Sequence, residues 1–401
     1  MTNVGSAVSA VWSWILDNLV FLNLVLTIGI IFFQRRDPKS VWTWLLAIYF
    51  IPVFGVVFYL LFGQNLKKSR MFRVRGVEDR LNFPIRHQEQ LLKQSGEYEA
   101  GQGDAIARDY ASLILYNLET SGSVLTANRQ VRIFTDGQAK FEDLRREMRR
   151  ARRFIHIQYY IIKKDELFDS IVPILIEKVR EGVEVRILYD GMGGRFMPKG
   201  RWEQLRAAGV KVGAFFPPFL GWLNLRVNYR NHRKIVVIDG NIGFVGGFNI
   251  GREYISKDPK FGYWRDTHLK ITGEAAIGLQ IRFALDWNYA TRENLFQELR
   301  YFGDEAKEAR ERLDGVQKNL WPGAEAEEEI HIQIVASGPD TREPHIRNNY
   351  LELFHKARHH IYIQTPYFIP DDAILSALKI AAQSGVDVRL MIPCKPDHPF
   401  V

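Results

Sequence analysis

His232 and Lys234 stand two residues apart in the stretch Asn228-Tyr-Arg-Asn-His-Arg-Lys-Ile-Val-Val-Ile-Asp-Gly-Asn241. The stretch from Asn228 to Ile238, which carries both residues, reads as a strand, Asp239-Gly240-Asn241 as a tight turn, and Ile242 to Asn249 as a returning strand. In an extended chain, residues i and i+2 project from one face about 7 Å apart, a spacing that suits a phosphate group. A neutral imidazole can attack phosphorus. A neighbouring ammonium neutralises the non-bridging oxygens as charge builds in the transition state. Asp239 comes five residues after Lys234. That is about 16 Å along a strand and nominally on its other face. It is expected to hold the turn or tie elements together, not to touch phosphorus. Gly246 and Gly247 let the return strand come close to a ligand or to neighbouring backbone. Asn249 is placed to donate an amide hydrogen to a phosphate oxygen. Singly, His232 suits a structural histidine and Asp-Gly-Asn a plain hairpin; together they point to phosphoryl chemistry.

The elements that must position these residues alternate. Phe154 to Ile162 reads as a strand, Leu167 to Arg180 as a helix, and Val183 to Tyr189 as a strand. Phe141, Leu144, Met148 and Ala151 lie at helical spacing just before them. This order predicts an α/β layered fold with a largely parallel core sheet. The order recurs. Ala151-Arg-Arg-Phe-Ile-His-Ile-Gln158 matches Ala357-Arg-His-His-Ile-Tyr-Ile-Gln364, and Gly182-Val-Glu-Val-Arg-Ile-Leu188 matches Gly385-Val-Asp-Val-Arg-Leu-Met391. Generic entries to parallel strands share such residues. Two blocks in one order at nearly one offset favour an internal duplication.

Composition bounds the chemistry. The chain has 401 residues, and its 46% hydrophobic and 25% charged residues exclude wholesale disorder. A single cysteine, Cys394, excludes an internal disulfide framework and a cysteine-cluster metal site. A net charge of +8 favours an anionic partner, nucleic acid or lipid. Residues 1 to 64 hold only Asp17, Arg35, Arg36, Asp37 and Lys39 as charges. The uncharged run from Val41 to Phe62 would reach about 33 Å as a helix, enough for a hydrocarbon core of about 30 Å. Leu19 to Phe33 is a shorter run, extendable back to Val11, and Gln34 to Ser40 joins the two. Two membrane segments are therefore expected. No cleaved signal peptide is, because no Lys or Arg precedes the first run. Lys67, Lys68, Arg70, Arg73 and Arg75 outnumber the charges of the short loop, which favours a cytoplasmic body on a multi-pass membrane protein.

The string His-x-Lys-x-x-x-x-Asp followed by Gly-Gly-x-Asn resembles the signature of the phospholipase D superfamily. Within it, Arg35-Arg-Asp-Pro38, Trp42, Trp44, Pro52, Gly55, Tyr59 and Phe62-Gly63 resemble the N-terminal membrane hairpin of bacterial cardiolipin synthases. Gly247-Phe-Asn-Ile-Gly-Arg-Glu-Tyr-Ile255, Tyr263-Trp-Arg-Asp266 and Thr365-Pro-Tyr-Phe-Ile-Pro-Asp371 resemble the same family. The resemblance covers nearly the whole chain. It implies two His-Lys motifs facing each other, one histidine attacking the phosphodiester of phosphatidylglycerol and the other protonating the departing glycerol. A second phosphatidylglycerol then takes the phosphatidyl group to give cardiolipin. It also implies that no metal or other cofactor is needed. Carried onto this chain, the resemblance makes His232, Lys234 and Asp239 the catalytic motif, with Gly247 and Asn249 beside the substrate.

The domains expected are a membrane hairpin (1–65), a connector (66–125), a first phospholipase D-like α/β half (126–302), a second connector (303–328) and an incomplete second half (329–401). No second His-x-Lys-x-x-x-x-Asp occurs in the sequence. By the repeat it would fall near position 435, so the chain is expected to be truncated before it. The partners expected are phosphatidylglycerol, other anionic phospholipids and the bilayer. Three rival readings stand beside this one: a membrane-anchored phospholipase, a nuclease using Arg145, Arg146, Arg149, Arg150, Arg152 and Arg153, and a non-catalytic membrane scaffold. The arginines lack aromatic interleaving for base stacking, so no nucleic acid is expected. Phe215-Phe-Pro-Pro-Phe-Leu-Gly-Trp-Leu223 is either a buried loop or a loop dipping into the bilayer beside the site.

Overall fold

A computed structural model describes residues 110–217, 230–302 and 330–394 except 339, 340 and 342, together with 13, 14, 17–28, 38–51, 55, 58 and 59. The chain divides into two compact units, Met1–Lys67 with Pro218–Arg230, and Lys68–Pro217 with Asn231–Val401. The first unit contains helices α1 (Leu19–Ile28) and α2 (Pro38–Phe50). Asn23 Nδ2 of α1 donates to the Ile48 carbonyl of α2 at 3.4 Å. Trp44 meets Tyr59 edge to face at 5.4 Å. Among the described residues no helix is long and apolar enough to cross a membrane. The runs expected to span extend into residues outside the described set. The same holds for the Gln34–Asp37 loop, the basic residues 67–75, both connectors over most of their length, and residues 218–223 of the apolar run.

The second unit contains α3 (Ala111–Ser121), β1 (Thr126–Asp136), α4 (Gly137–Arg150), β2 (Phe154–Tyr159), α5 (Glu166–Arg180) and β3 (Glu184–Asp190). Then come α6 (Lys199–Ala207), β4 (Lys211–Phe215), β5 (Ile235–Ile238), β6 (Ile242–Gly246), β7 (Arg265–Gly273) and α7 (Ala275–Thr291). After residue 329 follow β8 (Ile330–Ile332), α8 (His345–Lys356), β9 (His360–Gln364), α9 (Asp372–Gln383) and β10 (Asp387–Met391). Eight strands form one sheet in the order β4-β3-β2-β5-β6-β7-β1-β8. Only β2–β3 and β3–β4 pair in parallel there; β2–β5, β5–β6, β6–β7, β1–β7 and β1–β8 are antiparallel. The expected largely parallel sheet is thus a mixed one. The reason is connectivity: α5 and α6 carry the chain back for parallel pairing, whereas the short turn at 239–241 allows only an antiparallel return.

Both faces of β2 are buried, and its alternation divides them. Ile155, Ile157 and Tyr159 pack into the core with Phe141, Leu144 and Met148 of α4 and Ile171 and Leu175 of α5. His156 and Gln158 face α7 on the other side, through Gln280 and Asp286. Three aspartates cap helices: Asp136 accepts from the Ala139 amide, Asp165 from those of Leu167 and Phe168, and Asp371 from those of Ala373 and Ile374. Phe215 and Phe216, the first residues of the apolar run, are buried against Tyr289 of α7.

β9 and β10 form a separate parallel pair. Its register places His360 opposite Asp387 and Gln364 opposite Met391. The register of β2–β3 places Phe154 opposite Glu184 and Gln158 opposite Leu188. These are the residues that the two repeated sequence blocks set in correspondence, so the blocks pair in one register.

Candidate active site

β5 has the composition of a central strand: Ile-Val-Val-Ile, all four residues buried. His232 and Lys234 lie at its N-terminal end and Asp239 follows its C-terminal end. The strand expected to begin near Asn228 begins at Ile235. The backbone ahead of it bonds to side chains instead of a ladder, with the Asn231 amide donating to Asp190 Oδ2 at 2.9 Å and the Arg233 amide to Asn231 Oδ1 at 3.3 Å.

The structure brings His232 and Lys234 together. Lys234 Nζ lies 3.0 Å from His232 Nδ1 and donates to the His232 carbonyl at 2.6 Å. The Tyr160 ring, in the loop after β2, lies 4.8 Å from the His232 ring and 5.6 Å from Lys234 Nζ. His232 is exposed and Lys234 is buried. Although part of its surface meets solvent, partial desolvation of the His232 ring and then the Lys234 charge lower its pKa to about 4, so the imidazole is neutral at neutral pH. Burial lowers Lys234 to about 7 against the opposing charge of Asp266. The pair is therefore a neutral imidazole beside an ammonium that gives up its proton near neutrality. A bound phosphate dianion or diester would hold that proton on.

Asp239 is not with them. Its carboxylate accepts from the amides of Arg152, Arg153 and Phe154 at 2.8, 2.8 and 2.9 Å, and its carbonyl accepts from Arg153 Nη2 at 2.5 Å. It ties the β5–β6 turn to the turn between α4 and β2, which agrees with the expected holding role. Its φ of 54° and that of Gly240, 75°, put both in the left-handed region, which an Asp-Gly pair tolerates. Arg152 and Arg153 therefore sit at the far end of β5 from His232.

Asn249 differs from its expected role. It is buried, its Oδ1 accepts from the Ile161 amide at 3.1 Å, and its Nδ2 donates to the Tyr254 hydroxyl at 2.9 Å. Its amide joins the loop after β2 to the turn at 252–255 instead of facing outward. Gly247 makes a close approach to neighbouring chain. A Cβ there would stand 2.0 Å from Asp266 Oδ1, and the Gly247 amide donates to the Thr267 carbonyl at 2.9 Å. One at Gly246 would stand 2.4 Å from His268 Cα. The glycine pair thus lets Asp266 and His268 of β7 lie against the return strand.

Sequence reasoning assigned no role to Tyr160, Asp266, His268 or Asp286. His268 is fully buried, and burial followed by the charges of Lys140 and Lys234 holds it well below the usual imidazole range. Burial pushes the Asp266 carboxyl up. The Arg-Asp pair within Tyr263-Trp-Arg-Asp266 was a visible signal for Asp266; Tyr160 and Asp286 carried none, because topology alone brings them near β5.

The family described as cardiolipin synthase, PLD-like domain, matches residues 144–260 and 350–401, and the phospholipase D-nuclease N-terminal family matches 21–64. A cardiolipin synthase of Staphylococcus aureus is 45% identical over 383 residues, covering 95% of this chain and 73% of the relative. One from Oceanobacillus iheyensis is 43% identical over 95% of this chain and 74% of its own. Cardiolipin synthase 2 of Staphylococcus epidermidis is 44% identical over 96% of this chain and 75% of its own. With a His-Lys pair set at the head of a central strand and identity of this extent, the chain belongs to the bacterial cardiolipin synthases, the phosphatidyltransferases of the phospholipase D superfamily.

Proposed function

We propose that His232 is the nucleophile of a phosphatidyl transfer between two phosphatidylglycerol molecules, and that Lys234 holds the phosphate. His232 Nε2 attacks phosphorus, the bond to the headgroup glycerol breaks, and the departing oxygen takes a proton from a second histidine. The glycerol hydroxyl of another phosphatidylglycerol then loses its proton to that second histidine and attacks the phosphohistidine. The P–N bond breaks, and cardiolipin and free enzyme result. The observation that carries this reading is the 3.0 Å pairing of Lys234 Nζ with His232 Nδ1.

That pairing bears on the tautomer. While the ammonium donates to Nδ1, a neutral ring keeps its proton on Nε2, which cannot then attack. A phosphate that draws the ammonium to its own oxygens frees Nδ1 to take the proton and leaves Nε2 with a lone pair. Substrate would thus both bind at Lys234 and switch on His232. Asp239 contributes by holding the hairpin that carries the pair.

Residues 1–65 are read as a membrane hairpin that keeps the body at the inner face of the cell membrane, and 126–302 and 329–401 as two halves of one duplicated architecture joined by 303–328. The shared register of β2–β3 and β9–β10 supports the duplication. The second histidine is read as the counterpart of His232 in the second half of this architecture.

The test is His232→Ala in the full-length protein in phosphatidylglycerol vesicles, with cardiolipin and the phosphohistidine adduct, trapped by alkaline denaturant, both measured. Loss of a covalent nucleophile should lower cardiolipin formation at least about a thousandfold, with the protein still folded and vesicle-bound. Activity within tenfold of the parent sinks the assignment. Phosphatidic acid in place of cardiolipin would make the reaction hydrolysis.

A further inference from the structure

We propose that Asp286 of α7 is a positioning residue for the transfer: it fixes the segment that carries His232 and Lys234. The proposal rests on the reading of His232 as nucleophile and adds to it the group that aims it.

Residues 231–234 belong to no helix, turn or strand and stand outside the sheet ladder. Four hydrogen bonds to buried side chains hold them. The Asn231 amide donates to Asp190 Oδ2 at 2.9 Å. Asn231 Nδ2 and Arg233 Nη1 each donate to Asp286 Oδ2 at 2.8 Å. Gln158 Nε2, from β2, donates to Asn231 Oδ1 at 2.9 Å and to Asp286 Oδ2 at 2.7 Å. One carboxylate oxygen thus gathers donors from three places: the central strand and both neighbours of His232.

The contacts turn that into aim. Residues 231 and 233 are anchored to Asp286 of α7, while 232 and 234 meet each other and the Tyr160 ring. A slip of one residue would exchange these contacts. A strand ladder ordinarily prevents such a slip, and here the Asp286 bonds stand in for it. Arg233 Nη2 also reaches the Ser337 carbonyl at 3.4 Å, so the same guanidinium touches the chain that leads into the second repeat.

Asp286 is buried, with a side-chain exposure of 1%. If it served only to seat α7 on the sheet, apolar residues of similar volume would do so as well or better, because burying an ion pair carries a desolvation penalty. Apolar contacts cannot, however, hold the two neighbours of one residue at fixed hydrogen-bond geometry. Phosphoryl transfer depends on such fixing, since a misplacement of about 1 Å can lower the rate about a hundredfold.

The test is Asp286→Asn in the full-length enzyme, which keeps the side-chain volume and weakens the bonds to Arg233 and Asn231. We expect kcat to fall roughly a hundredfold while KM for phosphatidylglycerol stays within about threefold, and the trapped phosphohistidine to fall in step with kcat. Arg233→Gln alone should lower kcat as well, and the double variant should be no slower than the slower single, because the two residues act as one unit. A kcat within threefold of the parent, a loss confined to KM, or additive losses in the double variant would each overturn the proposal. Should Asp286→Asn fail to fold, Arg233→Gln carries the same kcat criterion, since it leaves Asp286 its Asn231 and Gln158 donors. His232→Ala run in parallel separates the two readings. Activity in His232→Ala removes the nucleophile assignment, whereas an inactive His232→Ala beside a fast Asp286→Asn removes this proposal alone.

Discussion

The strand pairs β2–β3 and β9–β10 share a register and a sequence pattern but not an environment. In the first, Ile155 and Ile157 face α4 and α5, and His156, Glu184 and Arg186 face α7. In the second, Ile361 and Ile363 face α8 and α9, while Tyr362, Asp387 and Arg389 occupy the matching places on the other side. The polar trio repeats in chemistry: His156 Nε2 lies 3.5 Å from Glu184, which is paired with Arg186, and the Tyr362 hydroxyl donates to Asp387 at 2.9 Å, which is paired with Arg389. Yet the Arg186 side chain is 0% exposed and that of Arg389 is 72% exposed. Local sequence thus sets the pairing of two strands and their helix-facing side. What covers the other side sets whether the same charges become a buried network or a solvated pair.

The largest effect separating the pairs is expected at Arg186. Its guanidinium is bonded to Glu184, to Glu293 and to the Tyr301 hydroxyl at 2.9 Å. Arg186→Met would take the buried cation from Glu184 and Glu293, which are partly open to solvent and keep Lys211 and Arg300 as further partners. Against the about 3–5 kcal/mol for breaking a fully buried ion pair, the cost of this partly screened network is roughly 2–3 kcal/mol. Thermal melting of the full protein in detergent should show a loss of that size. A change below about 1 kcal/mol would mean that the network is wet and that the contrast with Arg389 is one of appearance.

A smaller effect concerns how each region tunes its ionisable groups. Near β5 the leading cause is burial: it lowers His232 to about 4 and Lys234 to about 7. Around β10 it is pairing: the Arg389 hydrogen bond lowers Asp387. If transfer needs a neutral His232 and a protonated Lys234, kcat/KM should be high between these two values. Above pH about 7 the free enzyme loses its ammonium, and kcat/KM should fall roughly tenfold per pH unit. In kcat the same limb should lie at higher pH, because bound phosphate stabilises the ammonium. Lys234→Arg keeps its charge and should remove the limb from the neutral range, at reduced rate. A kcat/KM that stays flat from about pH 6 to 8 in the parent would show that the Lys234 proton is not needed for capture.

The contrast also explains which parts of the molecule could be read from sequence. His232 and Lys234 were legible because strand spacing is local, and the repeat because its residues sit in matched order. Gly247 was legible as a close approach, though not the carboxylate it approaches. The mixed sheet was not, since β1, β7 and β8 join it from distant parts of the chain. Asn249 was misread for a related reason. An amide three residues past the return strand looks free to meet a ligand, until the chain at 254 folds back and takes it. Asp286 lies 53 residues from Arg233, and only the fold of the chain brings the two together.

The smallest effect expected is at Arg389. Its pair with Asp387, 2.9 Å between nitrogen and oxygen, is formed by neighbours two apart on one strand and is open to water. Asp387 is held below the usual carboxylate range by this bond and by Tyr362, so a crystallographer would count it as a good salt bridge. Exposed pairs gain little because water solvates both partners nearly as well, and holding two long side chains in place costs entropy. Arg389→Met should therefore leave the stability of this body unchanged within error, in the same melting experiment that detects Arg186→Met. A clear loss at Arg389 would show that its face of the sheet is covered in the working protein, by further chain or by a second copy. The two repeats would then share their burial as well as their register.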